Sequence, residues 1–269
     1  MKKLSARRRH PLAALVVLLF ALAATGGLYA AFAPAEKAQA DSSAQSLAIN
    51  EGKKLFAVGC SSCHGLNGEG SANGPSLVGV GSAAVDFQVG TGRMPAQQPG
   101  AQVPSKKNIY SQDQIDQMAA FVASLGPGPV TPTQQQYTST ETDAIAKGGD
   151  LFRTNCAQCH NFAGAGGALS QGKFAPSLEG TSAKHIYEAM QTGPQNMPAF
   201  PDSTMPEKQK QEIVAFVRYQ ANEAPNQGGL SLGSLGPVTE GLFGWIFGLG
   251  VLIAVAIWVA AHTTKAKKS

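Results

Sequence analysis

The chain has 269 residues, of which 43% are hydrophobic and 14% charged, and a formal net charge of +4. That length suits about two domains, and the composition suits a globular protein carrying membrane segments. The charge is divided: Asp41 to Glu240 holds 12 Lys+Arg against 16 Asp+Glu, a balance of −4. The alkaline pI therefore reports topology, and no nucleic-acid partner is expected.

Leu12 to Ala33 is an apolar run behind a basic start that includes Lys2, Lys3, Arg7, Arg8 and Arg9. Ala38-Gln39-Ala40 follows, an A-x-A sequence of the kind cut by signal peptidase. The run is long for the apolar core of a signal peptide and near the length of a bilayer span, so a cleaved signal and a retained anchor both stay open. Ala35 to Ser46 is polar and reads as a tether. Leu47 to Gly59 reads as a helix, with Gly52 and Phe56 four apart on one face.

That helix runs into Cys60-Ser61-Ser62-Cys63-His64, and the pattern returns as Cys156-Ala157-Gln158-Cys159-His160. C-x-x-C-H is the spacing that attaches a c-type haem. The two sulfurs form thioethers along one edge of the porphyrin, and the histidine sits beneath the iron. All four cysteines of the chain lie in these motifs, so none is left for a structural disulfide. A zinc site would need four ligands gathered in one tetrahedron, and a redox dithiol would want a βαβ surround that is absent.

Gly65 to Pro104 is rich in Gly, Pro and Ala and reads as loops with short helices. Ser111 to Leu125 has helical spacing, with a capping box at Ser111-x-x-Gln114 and a stop at Gly126-Pro127. Gly126 to Thr140 is the expected linker, semi-extended and proline-rich. Beyond it the plan repeats. A shift of 96 residues takes Gly52 to Gly148, Phe56 to Phe152 and His64 to His160. Pro75-Ser76-Leu77 is echoed by Pro176-Ser177-Leu178, and Thr91-Gly92…Met94-Pro95 by Thr192-Gly193…Met197-Pro198. A last helix carries Ala215-Phe216-Val217, with Thr204-x-x-Glu207 as its expected cap and Pro206 in its first turn.

The expected division is 1–40 basic end plus signal or anchor helix, 44–125 first domain, 126–140 linker and 141–223 second domain. A connector over 224–240, a transmembrane helix over 241–261 and a tail over 262–269 complete it. Gly241 to Ala261 is uncharged, one span long and flanked by Lys265, Lys267 and Lys268. The positive-inside rule puts both basic ends in the cytoplasm and the haem domains outside the cell membrane, which the chain crosses twice if its N-terminal helix is retained. Gly244-x-x-x-Gly248 offers a face for close helix packing.

Each iron needs a second ligand. Met94 and Met197 occupy the same place in the two repeats, each before a proline and after a Thr-Gly. His/Met ligation raises the reduction potential and leaves no open coordination position. Met118 and Met190 are expected in the core, Met205 at a helix start, and His185 at a surface or edge. Carbonyls at Pro75 and Pro176 are expected to accept Nδ1–H from His64 and His160. In domains of about 80 residues the haem is expected to serve as the centre of the core.

With these motifs in place, each half resembles a class I cytochrome c domain, so the expected fold is all-α with two such domains in tandem. GPSLVGVG, TGRMPA, GGDLFRTNCAQCHNFAGAGGALSQGKFAPSL and TGPQNMPAF extend the likeness to nearly the whole chain. It resembles the di-haem cytochrome c subunits of actinobacterial quinol–cytochrome c reductases, the cytochrome bc complexes. The resemblance implies work beside cytochrome b and a Rieske iron–sulfur protein, within a proton-translocating oxidoreductase. It implies electron flow from the Rieske cluster through two haems to a terminal haem-copper oxidase, with no substrate chemistry in this chain. An autonomous anchored carrier and the cytochrome subunit of a periplasmic dehydrogenase are the competing functions. A catalytic haem protein would need an iron without a sixth protein ligand.

Overall fold

The structure is a computed structural model that describes residues 11–32, 37–100, 102–222 and 241–266. The basic first ten residues, the connector over 224–240 and the end of the tail lie outside the described residues. The described part is mostly helical, with two helical domains that repeat one order of elements and one long apolar C-terminal helix.

Helix α1 spans Pro11–Phe32, and α2 spans Lys37–Gly59 without a break. The stretch expected as a tether up to Ser46 is thus largely helical, because Ala, Gln and Lys are good helix formers and the run contains no Pro or Gly. The first domain continues with α3 (Ser61–His64), α4 (Gly81–Gly90) and α5 (Gln112–Ala123). Ser111 caps α5 with the full reciprocal capping box: its side chain accepts from the amide of Gln114, whose side chain accepts from the amide of Ser111.

Short helix α6 (Gln134–Tyr137) precedes the second domain. There α7 (Ala144–Asn155), α8 (Ala157–His160), α9 (Ala183–Thr192) and α10 (Glu207–Asn222) repeat the order of the first. Strands β1 (Gly167–Ala168) and β2 (Phe174–Ala175) form a two-stranded antiparallel hairpin, pairing Gly167 with Ala175 and Ala168 with Phe174. The first domain has only a Ser71–Gly74 bridge at the equivalent place. This hairpin accommodates the extra residues that move the repeat offset between His160 and Pro176.

The cap expected at Thr204 does not form. Thr204 lies in a turn whose amide bonds Pro201, and the Glu207 carboxylate accepts from Gln136 and Gln211 instead. Pro206 immediately precedes α10 rather than sitting within it.

In each domain the first helix crosses the last at backbone contact distance. A Cβ on Gly52 would meet the carbonyl of Gln117, and one on Gly148 the carbonyl of Glu212. Beside each crossing two rings stack at a tilt: Phe56 on Phe121 at 5.1 Å, and Phe152 on Phe216 at 5.4 Å. Met118 and Met190 are buried core residues as expected. Met205 is also buried, among Phe152, Tyr187 and Ile213.

The segment between the domains is fastened. Ala83 N–H donates to Pro129 O, and Thr131 N–H to Ser82 Oγ. Gly81 has φ +79°, and a side chain there would strike Pro129, so only glycine lets the strap lie this close. At the C-terminal end, Gly244–Leu249 is π-helical and leads into α11 (Gly250–Ala266). Gly241–His262 is long and apolar enough to cross a membrane, and none of it is buried.

Candidate haem sites

Each C-x-x-C-H motif closes one tight helical turn. His64 N–H donates to Cys60 O at 3.0 Å, and His160 N–H to Cys156 O at 2.9 Å. The next residue leaves the helix with positive φ, 77° at Gly65 and 65° at Asn161. Asparagine is among the few side chains that tolerate this conformation. The following loops then make the same bonds: Gly70 N–H to His64 O and Gly166 N–H to His160 O, then Leu77 N–H to Gly68 O and Leu178 N–H to Gly164 O.

The loop return fixes the histidines. His64 Nδ1–H donates to Pro75 O at 2.8 Å, and His160 Nδ1–H to Pro176 O at 3.0 Å. Both prolines therefore act through their carbonyls, as the sequence suggested. With Nδ1 engaged, Nε2 is the nitrogen left to bind a metal. Burial pushes the His160 pKa down against the raising effect of the Pro176 bond, which favours the neutral imidazole that ligates iron. Before attachment, burial and the neighbouring cysteine push the Cys60 and Cys156 thiols up to about 11. They are then thiols, not thiolates, at neutral pH.

Met94 packs on the cluster of Val89, Ile115 and Met118, which Cys60 also touches. Met197 packs on the cluster of Phe152, Ile186 and Met190, which Cys156 also touches. In each domain the first cysteine and the methionine thus border one apolar region. This donor set fits a c-type haem: two thiols free of disulfides, an oriented imidazole and a thioether.

The Met94 loop is also tied to the β hairpin and the Met197 loop of the second domain. Gln102 donates to Phe174 O at 2.6 Å and accepts from Phe174 N–H at 2.9 Å. In mirror fashion Gln195 donates to Val103 O at 2.9 Å and accepts from Val103 N–H at 3.3 Å. The helices leading into these loops, α4 and α9, pack on one another across the domains.

A family model described as "Cytochrome c" matches residues 49–126, and one described as "Cytochrome C oxidase, cbb3-type, subunit III" matches residues 143–217. The "Cytochrome bc1 complex cytochrome c subunit" of Corynebacterium efficiens is 44% identical, over 97% of this chain and 94% of its own length. The protein of the same description from Mycobacterium tuberculosis is also 44% identical, over 96% of this chain and 93% of its own. The chain belongs to this family of cytochrome c subunits. A more distant relative, the "Cbb3-type cytochrome c oxidase subunit CcoP" of Azospirillum, is 26% identical over 57% of this chain. As a di-haem member of the family, the protein carries two covalent c-type haems and serves electron transport.

Sequence reasoning missed a polar cluster between α4 and α9. His185, expected at a surface or edge, is half-buried there, its ring edge-on to Phe87. Asp86 and Glu188 are 1% and 0% exposed. Asp86 pairs with Lys184 and accepts from Gln112. Burial pushes Asp86 up, but hydrogen bonds with Lys184, Glu188 and Gln112 outweigh it and hold the carboxyl below its ordinary value. Glu188 is pushed up to about 9, first by burial and then by the charge of Asp86. The available signal was Asp86 itself, the only charge in an otherwise uncharged helix, GSAAVDFQVG.

Proposed function

We propose that this protein is the electron-transfer subunit of a respiratory quinol–cytochrome c reductase, working beside cytochrome b and a Rieske iron–sulfur subunit. Cys60 and Cys63 hold the first haem, and Cys156 and Cys159 the second. His64 with Met94, and His160 with Met197, are the axial ligands. The haems supply one-electron chemistry, and the chain orients them, excludes water and sets their potentials. The first haem accepts from the Rieske cluster, and the second delivers to a haem-copper oxidase. The domains divide as 44–125 and 141–223, on the outer side of the cell membrane. The C-terminal helix anchors them, with Gly244 and Gly248 on a face suited to a partner helix, and α1 is a second anchor if it is retained.

One observation carries this function: each domain offers an imidazole locked by a carbonyl and a thioether packed on the same apolar cluster as its first cysteine. Both iron faces then have protein ligands, which suits electron passage and leaves no place for substrate. The test uses Met94→Ala and Met197→Ala in the purified membrane complex. Each variant should lower the potential of one haem and open that iron to carbon monoxide. Met197→Ala should stop electron flow to the oxidase while quinol still reduces the first haem. Carbon monoxide binding or peroxidase activity in the unmutated protein would overturn the assignment. Purification with c-type haem alone, under several detergents, would favour the autonomous carrier.

A further inference from the structure

We infer that Asp86, His185 and Glu188 form a binding site for a divalent transition ion of the zinc class, which staples the two haem domains together. Asp86 comes from α4 in the first domain, and the other two come from α9 in the second. One ligand atom from each lies within 4.8 Å of the other two, and His185 Nε2 stands 4.0 Å from Glu188 Oε2. Around a tetrahedral ion with bonds near 2.0–2.1 Å, ligand atoms stand about 3.4 Å apart. The side chains therefore close in by about 1.4 Å at most, a movement within reach of small side-chain rotations.

The independent sign is Glu188. It is fully buried, and neither of its oxygens accepts a hydrogen bond from an amide, hydroxyl or ammonium group; what it faces is the second buried carboxyl, Asp86. Lys184 pairs with Asp86, which leaves the Glu188 carboxyl without an ion-pair partner among the described Lys and Arg residues. A buried carboxylate without a partner is not tolerated, and a cation or a proton must complete the set. The donors indicate which cation. One imidazole with two carboxylates suits zinc and its neighbours, whereas calcium would want six or more oxygens. His185 and Glu188, three apart on one helix, share a face, and the Phe87 ring edge limits the motion of the imidazole. The other charged or amide groups around the site are Gln112 on Asp86, Arg93 near His185 and Asp116 near Glu188.

The test uses the full chain with both haems, in mild detergent, stripped with a chelator and titrated with zinc chloride. One zinc per chain should bind in excess of Glu188→Gln, with affinity lowered about 100-fold in that variant and in His185→Gln. Lys184→Gln removes a competing cation, so its affinity should rise by about tenfold or more. That gain needs a folded variant and cannot arise from damage. Zinc-edge X-ray absorption of the unmutated protein should show one nitrogen among oxygens and no sulfur. Equal zinc binding by the unmutated chain and Glu188→Gln, sulfur at the zinc, or looser binding in Lys184→Gln would overturn the site and leave a shared proton as the partner of Glu188.

Discussion

Gly148→Ala should unsettle the second haem domain while the same change one residue later is tolerated. A methyl on Gly148 would overlap the backbone carbonyl of Glu212 and stand 3.0 Å from the Cβ of Phe216. At the equivalent crossing in the first domain, a methyl on Gly52 would lie 2.5 Å from the carbonyl carbon of Gln117. Non-bonded carbons settle at about 3.5–4.0 Å, so the helices must part by about 1 Å or more. Both clashing elements are backbone and cannot turn aside, so the cost sits at or above the top of the usual 1–3 kcal/mol for overpacking. Parting also loosens the Phe152–Phe216 ring pair, worth about 0.5–1.5 kcal/mol. Alanine returns roughly 1 kcal/mol through helix propensity, leaving a net loss of about 3 kcal/mol. At Gly149 the nearest atoms are the Arg153 guanidinium and the Phe216 ring, each at 3.2 Å and able to shift. Gly149→Ala should therefore fall within about 1 kcal/mol of the unmutated protein. Chemical denaturation followed by haem absorbance and circular dichroism measures both. Equal midpoints for the two variants would refute backbone contact at the crossing.

Three further outcomes are expected. In chelator-treated protein Glu188 holds its proton up to about 9, while an unfolded glutamate releases it near 4.5. Stability from this group is thus whole below the lower value and lost as pH rises through the upper one. Denaturation midpoints should decline across that window, and Glu188→Gln should flatten the decline; Asp86, held below its ordinary 3.8, acts only on the acid side. Asp202→Ala removes the 2.6 Å partner of Lys210, a lysine only 1% exposed. It should destabilise the second domain by about 1–3 kcal/mol, whereas Lys210→Met, seen by the same denaturation, should cost less because no buried charge is stranded. A short Gly/Ser insertion between Thr138 and Ser139 should leave haem-to-haem electron transfer unchanged in flash photolysis, because noncovalent contacts hold the domains. A rate falling with insert length would show that the linker alone keeps them near.

The haem motifs and the repeat were legible because each is local or recurs at fixed spacing. His64 needs its carbonyl partner 11 residues on, and the duplicate His160–Pro176 pair exposes the rule. The capping box at Ser111 was readable for the same reason, being closed within four residues. Thr204 misled because Glu207, which should have reached back to it, instead meets Gln136 from 71 residues away. The polar cluster was hidden because its carboxylates lie on helices that meet only in the folded pair. Nothing within Ala183–Thr192 distinguishes Glu188 from an exposed glutamate.

The duplication gains most from how the halves are held. A free linker would raise the local concentration of one domain about the other to the millimolar range and leave each transfer waiting for an encounter. Here the strap is bonded to Ser82 and Ala83, α6 is bonded to α10, and two glutamines clamp the Met94 loop to the β hairpin and the Met197 loop of the second domain. These amide clamps bond backbone groups, so they fix position without relying on long charged side chains that salt would screen. The same helices that lead into Met94 and Met197 form the interface. Any shift of one domain on the other therefore moves a proposed iron ligand loop directly. A contact built this way holds the path between the haems fixed, and the buried carboxylates at its centre make that contact sensitive to whatever neutralises them.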